Sequence, residues 1–135
     1  MEAAYLKYQA AIERDPLDPN YYRMLAEFSL AYAYQVREAA LPAARLAVQF
    51  DSKDPANIDV LGQVLLTLED EMNALRFYLQ ALELDPAYAP AYFHLGILYS
   101  ARDDANQAVY YLSKAVEYSR NPAMTDQARR LLSSY

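Results

Sequence analysis

Apolar residues along this chain of 135 residues recur at three- and four-residue steps rather than in strict alternation, the spacing that lines one face of an α-helix. Tyr92, Leu95, Gly96 and Tyr99 follow i, i+3, i+4, i+7, and Ala108, Leu112, Ala115 and Val116 make a second stripe. The polar run Arg102-Asp103-Asp104-Ala105-Asn106 separates them, which predicts a turn whose Asp residues cap the next helix. Similar punctuation stands at Asp18-Pro19 and Asp54-Pro55, where Asp accepts from free N–H groups and Pro loses nothing in the first turn. Pro42 is expected to play the same first-turn part for the helix it opens.

The pattern is periodic. Leu61-Gly62 and Leu95-Gly96, Ala47, Ala81 and Ala115, Ala40, Ala74 and Ala108, and Asp51 and Asp85 are all separated by steps of 34. Further back, "YQAAIERDP" ending at Pro16 lies over "YLQALELDP" ending at Pro86, but the step from Asp15 to Asp51 is 36. Tyr22, Leu25 and Ala26 keep the same distances from Pro16 that Tyr92, Leu95 and Gly96 keep from Pro86, so the two extra residues are expected between Tyr34 and Ala39. Each unit therefore reads as two helices. Small residues recur at Ala26, Gly62 and Gly96 on one helix and at Ala40, Ala74 and Ala108 on the next, letting the backbones approach. That tolerates glycine in a helix interior despite a penalty of about 1 kcal/mol.

These residues resemble the tetratricopeptide repeat, W-x2-L-G-x2-Y followed by A-x3-F, A and P. The match reads Ile58, Leu61, Gly62, Leu65, Ala74, Tyr78, Ala81, Pro86 in one unit and Tyr92, Leu95, Gly96, Tyr99, Ala108, Leu112, Ala115 in the next. An earlier unit is degenerate but in phase, with Tyr22, Leu25, Ala26, Ala40, Ala44 and Ala47, and with Ser29 and Ser52 where an aromatic and a proline are usual. The resemblance runs from Met1 to about Asn121 and implies an all-α fold, a right-handed α-solenoid of helix-turn-helix repeats with a C-terminal capping helix. The expected division is a half repeat at 1–18 supplying only a second helix, a degenerate repeat with the insertion at 19–54, repeats at 55–88 and 89–121, and the cap at 122–135. The half repeat leaves part of the Ala4, Tyr8, Ala11 stripe uncovered, so the chain is expected either to be cut from a longer array or to self-associate there. The cap is expected to turn Met124, Ala128, Leu131 and Leu132 inward and Asp126, Arg129, Arg130 and Ser133 outward.

Function in this resemblance lies in a concave groove lined by the first helix of each repeat. The stripe beside the core positions offers Asn20, Arg23, Glu27 and Leu30, then Asp59, Gln63 and Leu66, then Phe93, Ile97 and Ser100, a surface suited to an extended peptide or a partner helix. For Phe93 and Ile97, burial against a neighbouring helix or the cap is an equal alternative. Some members of the family hold a partner's C-terminal carboxylate in a clamp of Lys, Arg and Asn. Arg23 matches its first Lys and His94 weakly its Arg, but Glu27, Val60 and Pro90 fall where Asn, Asn and Lys are needed, and Glu27 would repel a carboxylate. The expected role is a protein-interaction scaffold, with an assembly module that self-associates through its first helix or its cap as the alternative.

Composition removes other classes. A formal net charge of −6 and a pI of about 4.7 speak against a phosphate-backbone partner. Zero Cys excludes thiolate chemistry, and two Gly, both placed for helix packing, leave no phosphate loop. His94 is the only His, and no Ser or carboxylate sits at a spacing that would make it catalytic. Glu69-Asp70-Glu71 and Asp103-Asp104 fall in the turns between helices, where capping accounts for them without a metal. No metal, cofactor, enzymatic activity or nucleic-acid partner is expected. The sequence shows neither a membrane span nor a signal peptide, which favours the cytoplasm. Of 14 Tyr, five (Tyr8, Tyr22, Tyr78, Tyr92, Tyr99) are expected in the core, leaving others such as Tyr110, Tyr111 and Tyr118 as possible contact residues.

Overall fold

The computed structural model describes all 135 residues. They form eight α-helices: α1 Glu2–Arg14, α2 Pro19–Ala31, α3 Leu41–Phe50, α4 Pro55–Thr67, α5 Glu71–Leu84, α6 Ala89–Ala101, α7 Ala105–Tyr118 and α8 Pro122–Leu132. Their starts follow the local chemistry. Asp18 Oδ1 accepts from the Asn20 N–H and Asp54 Oδ1 from the Ala56 N–H, both at 2.9 Å, while Asn121 Oδ1 accepts from Ala123 N–H at 3.0 Å. Asp104 caps α7 through the Gln107 N–H at 3.2 Å, and Asp70 likewise receives the Asn73 N–H at 3.4 Å. In the two acidic turns, Asp70 and Asp104 thus cap the helices that follow.

The ends of α2, α4 and α6 share one device. Ala33, Glu69 and Asp103 adopt left-handed φ of 50°, 67° and 56°. The residue after each donates its N–H five positions back, Tyr34 to Ser29 at 2.9 Å, Asp70 to Leu65 at 2.8 Å and Asp104 to Tyr99 at 3.0 Å. This is the closure usually made with glycine; here ordinary side chains hold the conformation at a penalty of about 1 kcal/mol each.

The helices gather into two compact units, Met1–Phe77 and Tyr78–Tyr135. In the first, Tyr22, Leu25, Ala26 and Phe28 of α2 are buried with Ala43, Ala44 and Ala47 of α3 and with Ile58, Val60, Leu61 and Val64 of α4. Helix α1 buries no residue completely: Ala4, Tyr8 and Ala11 are half-buried, with the Tyr8 ring 5.3 Å from Phe28 and Tyr5 edge-on to Tyr34 at 5.6 Å. The stretch where the extra residues were expected holds a left-handed Gln35 (φ 46°) and a π-helical turn, Val36–Ala40, closed by Ala40 N–H to Gln35 O at 3.3 Å. Pro42 stands in the first turn of α3 as expected, but unlike Pro19 it follows a π turn instead of a capped loop. The chain before it is already helical, and the wider π turn relieves the clash and the missing hydrogen bond that a proline imposes on an α-helix interior.

In the second unit Phe93, Leu112, Ala115 and Ala128 form a core onto which Tyr92, Val116, Met124, Leu131 and Leu132 pack. Helix α8 turns Ala128 inward, and Asp126, Arg129, Arg130 and Ser133 are exposed. Gly96 faces Leu112 so closely that a Cβ there would lie 2.5 Å from Leu112 Cδ2 and 2.6 Å from Cγ. Along the α6–α7 seam runs a ladder of rings: Tyr118 stacks on Tyr92 at 5.6 Å, Tyr92 leans on Tyr111 at 6.3 Å, Tyr111 stacks on Tyr99 at 5.5 Å and meets Tyr110 edge-on at 5.1 Å. Arg102 lies over Tyr99 and Lys114 over Tyr118, at 5.5 and 5.8 Å. Of the five expected core tyrosines only Tyr22 and Tyr78 are buried; Tyr8, Tyr92 and Tyr99 are partly exposed. Tyr92 and Tyr99 belong to this ladder, which covers a helix seam instead of filling a core.

Candidate partner-binding groove

Seven of the ten expected groove residues lie on α2 and α4, which pack as neighbours in the first unit. Asn20 and Glu27 are exposed, and Arg23, Leu30, Gln63 and Leu66 are half-buried. Asp59 is a correction: it is only 3 % exposed, and the Gln63 side-chain amide donates to it at 3.1 Å. A turn of α4 that is apolar on most sides draws its one carboxylate inside, so Asp59 is a buried hydrogen-bonding residue and Gln63 presents the open polar surface.

Arg23 organises the face. Its Nη1 donates to Asp54 Oδ2 at 3.1 Å and to Asn57 Oδ1 at 3.0 Å, and its Nε lies 3.6 Å from Glu27 Oε1. Asn57 is completely buried, and its Nδ2 donates to the Ala47 and Asp51 carbonyls at the end of α3, at 3.3 and 3.1 Å. One amide thus satisfies the open end of α3 and holds the guanidinium, while Asp54 caps α4 and pairs with Arg23 at once. Sequence reasoning missed Asn57; its signal was a polar residue in the first turn of a helix otherwise apolar around it. Glu27 has its carboxyl pushed above the usual range by burial, with Arg23 opposing the shift and the negative charge of Asp59 adding to it.

The remaining three lie on α6, in the second unit. Phe93 is a correction as well, because α8 lies over it and leaves it 8 % exposed within the core; of the two readings open for it, burial is the observed one. Ile97 is exposed, and Ser100 Oγ accepts a hydrogen bond from the Tyr135 hydroxyl at 2.9 Å. His94 stacks on Tyr78 at 5.5 Å and meets Phe93 edge-on at 5.8 Å, so its ring is part of aromatic packing.

The helices, their caps and the close seam at Gly96 make an all-α chain built of helical hairpins. Residues 59–88 match the family model of the tetratricopeptide repeat, and residues 74–132 match that of the Est1 DNA/RNA binding domain. A thermophilic tetratricopeptide-repeat protein of Thermus thermophilus superposes with a TM-score of 0.85 at 22% identity, over 98% of this chain and 73% of that one. YrrB, described as a tetratricopeptide-repeat protein with an unusual peptide-binding site, gives 0.74 at 20% over 96% of this chain and 66% of its own. The first such domain of Spaghetti, bound to an HSP90 peptide, gives 0.71 at 15% over 87% and 94%. No curated protein matches the chain. Residues 59–88 thus match a tetratricopeptide repeat, and the chain shares the all-α fold of these solved structures. No helix in it is long and apolar enough to cross a membrane.

Proposed function

We propose that this chain is a non-enzymatic protein-interaction scaffold whose α2–α4 face takes a peptide or a helix from a partner. The observation that carries the reading is the row Asn20, Arg23, Glu27, Leu30, Gln63 and Leu66, open or half-open to solvent and polar at one end and apolar at the other. Arg23, bound to Asp54 and Asn57, fixes α2 against the start of α4, so the face is preformed and a ligand avoids part of the ordering penalty. YrrB, with its unusual peptide-binding site, and the Spaghetti domain, bound to an HSP90 peptide, share the fold and support the same reading. The Est1 match does not redirect it. Residues 74–132 hold six basic and six acidic side chains, without the surplus of cations by which phosphate backbones are held.

The test is selection of peptides from a random display library, followed by binding to Leu66→Arg and, off the face, Tyr110→Ala. Selected peptides are expected to lose Leu66→Arg and keep Tyr110→Ala; equal binding to both variants would dismiss the face. Replacing Asp59 or Phe93 would test folding, since both are buried. A second reading, self-association, is supported by the exposed apolar residues at and just after α1, Leu6 at 53 % and Leu17 at 69 %. Light-scattering mass over a hundredfold concentration range tests it, and a constant monomer would remove it.

A further inference from the structure

We infer that the α2–α4 face selects a basic partner segment, with a Lys or Arg seated on Glu27 and an apolar side chain set against Leu30 and Leu66. The inference rests on the scaffold reading above and names the chemistry of what it binds. Charge is distributed unevenly along the chain: Met1–Phe77 carries twelve acidic and seven basic side chains, Tyr78–Tyr135 six and five. The face lies in the acidic part. Arg23 is the only cation on either helix, since α4 carries neither Lys nor Arg.

That single cation is already engaged. Both strong hydrogen bonds of Arg23 go to Asp54 and Asn57, and Glu27 is left with a 3.6 Å approach that is too long for a good hydrogen bond. The Glu27 side chain is 54% exposed, so a ligand can reach it. Its raised pKa expresses the same imbalance in another observable: burial and the nearby Asp59 together outweigh the attraction of Arg23. An arriving ammonium or guanidinium relieves that imbalance, whereas an arriving carboxylate adds to it. Leu30 lies one helical turn beyond Glu27, and Leu66 one turn beyond Gln63, so the apolar end of the site begins where the charged end stops. A segment that pairs a basic residue with an apolar one a few positions away fits both. The HSP90 peptide held by the Spaghetti domain, SRMEEVD, ends in the opposite chemistry.

The experiment uses the full chain and three degenerate pools of twelve-residue peptides, of net charge +4, 0 and −4, in a retention assay at moderate salt with Glu27→Gln and Leu66→Arg beside the parent. The basic pool is expected to be retained best, Glu27→Gln to lower its retention roughly three- to fivefold, the size of one partly exposed ion pair, and Leu66→Arg to abolish it. If the basic pool binds best but Glu27→Gln changes nothing, attraction to the acidic half is unspecific and the assignment to Glu27 is overturned. If neutral or acidic pools bind as well and Leu66→Arg still abolishes retention, the face binds peptides and only this inference fails. Loss of every pool, with Leu66→Arg indistinguishable from the parent, would remove the face and the inference together.

Discussion

Substituting Gly96 by alanine separates helix propensity from helix packing. An alanine in the middle of α6 gains about 1 kcal/mol of intrinsic helix preference over glycine. Its Cβ would also stand 2.5 Å from Leu112 Cδ2 and 2.6 Å from Cγ, with the Leu112 backbone nitrogen at 3.3 Å. Leu112 is completely buried among Phe93, Ala115 and Ala128. The clash reaches Cγ, close to the backbone, and the side chain has no open space to swing into. Overpacking of this kind costs roughly 3 kcal/mol at its upper end, so the net effect is a loss of about 2 kcal/mol. Thermal unfolding by circular dichroism should show a midpoint lower by about 4–8 °C, with hydrogen exchange accelerated in α6 and α7. Made in a Leu112→Ala background, the same substitution should reverse sign and stabilise by about 1 kcal/mol, because the clashing atoms are gone and the propensity gain is left. Stabilisation by Gly96→Ala alone would refute the close-approach argument. An undiminished loss in the double variant would place the conflict on the α7 backbone instead of the Leu112 side chain.

Other substitutions address the remaining contacts. Asn57→Ala strips two carbonyls at the end of α3 and Arg23 of a shared partner, and should lower the unfolding free energy in urea by about 2–3 kcal/mol. Phe93→Ala should cost about 3–5 kcal/mol and be seen first as faster hydrogen exchange in α8, which packs on it. Glu27 binds its proton more tightly folded than unfolded, so its contribution to stability is complete below the ordinary carboxylate pKa and is lost as pH rises through the raised folded value. The parent should accordingly gain on Glu27→Gln as pH is lowered from neutral towards 4.5, and parallel stability curves for the two would contradict the shift.

What could be read from the chain without coordinates was whatever repeats or caps locally. The step of 34, the Asp-Pro helix starts and the small-residue seam at Gly96 each depend on residues a few positions apart, and the helices begin and close where those residues stand. The groove stripe was harder, because α4 and α6 are apolar on most sides. With little contrast between faces, periodicity cannot say whether Asp59 looks out or in, nor whether Phe93 lines a surface or lies under another helix. Asn57 escaped for a different reason: its partners sit on α3 and α2, 10 and 34 residues away, beyond any local rule. The length of the insertion announced a break in the repeat, but not that a left-handed Gln35 and a π turn would absorb it while leaving Pro42 inside a continuous helical run.

The tyrosine ladder gives the chain an optical property of its own. With 14 Tyr and no Trp, near-ultraviolet excitation has no lower-lying indole to drain into. Rings stacked at 5.5 and 5.6 Å along the α6–α7 seam are close enough to pass that excitation among themselves before they emit. Such transfer depolarises the emission, and separating the rings removes that contribution. The same holds for Tyr5 and Tyr34, 5.6 Å apart, so tyrosine emission reads ring proximity in both units without any label.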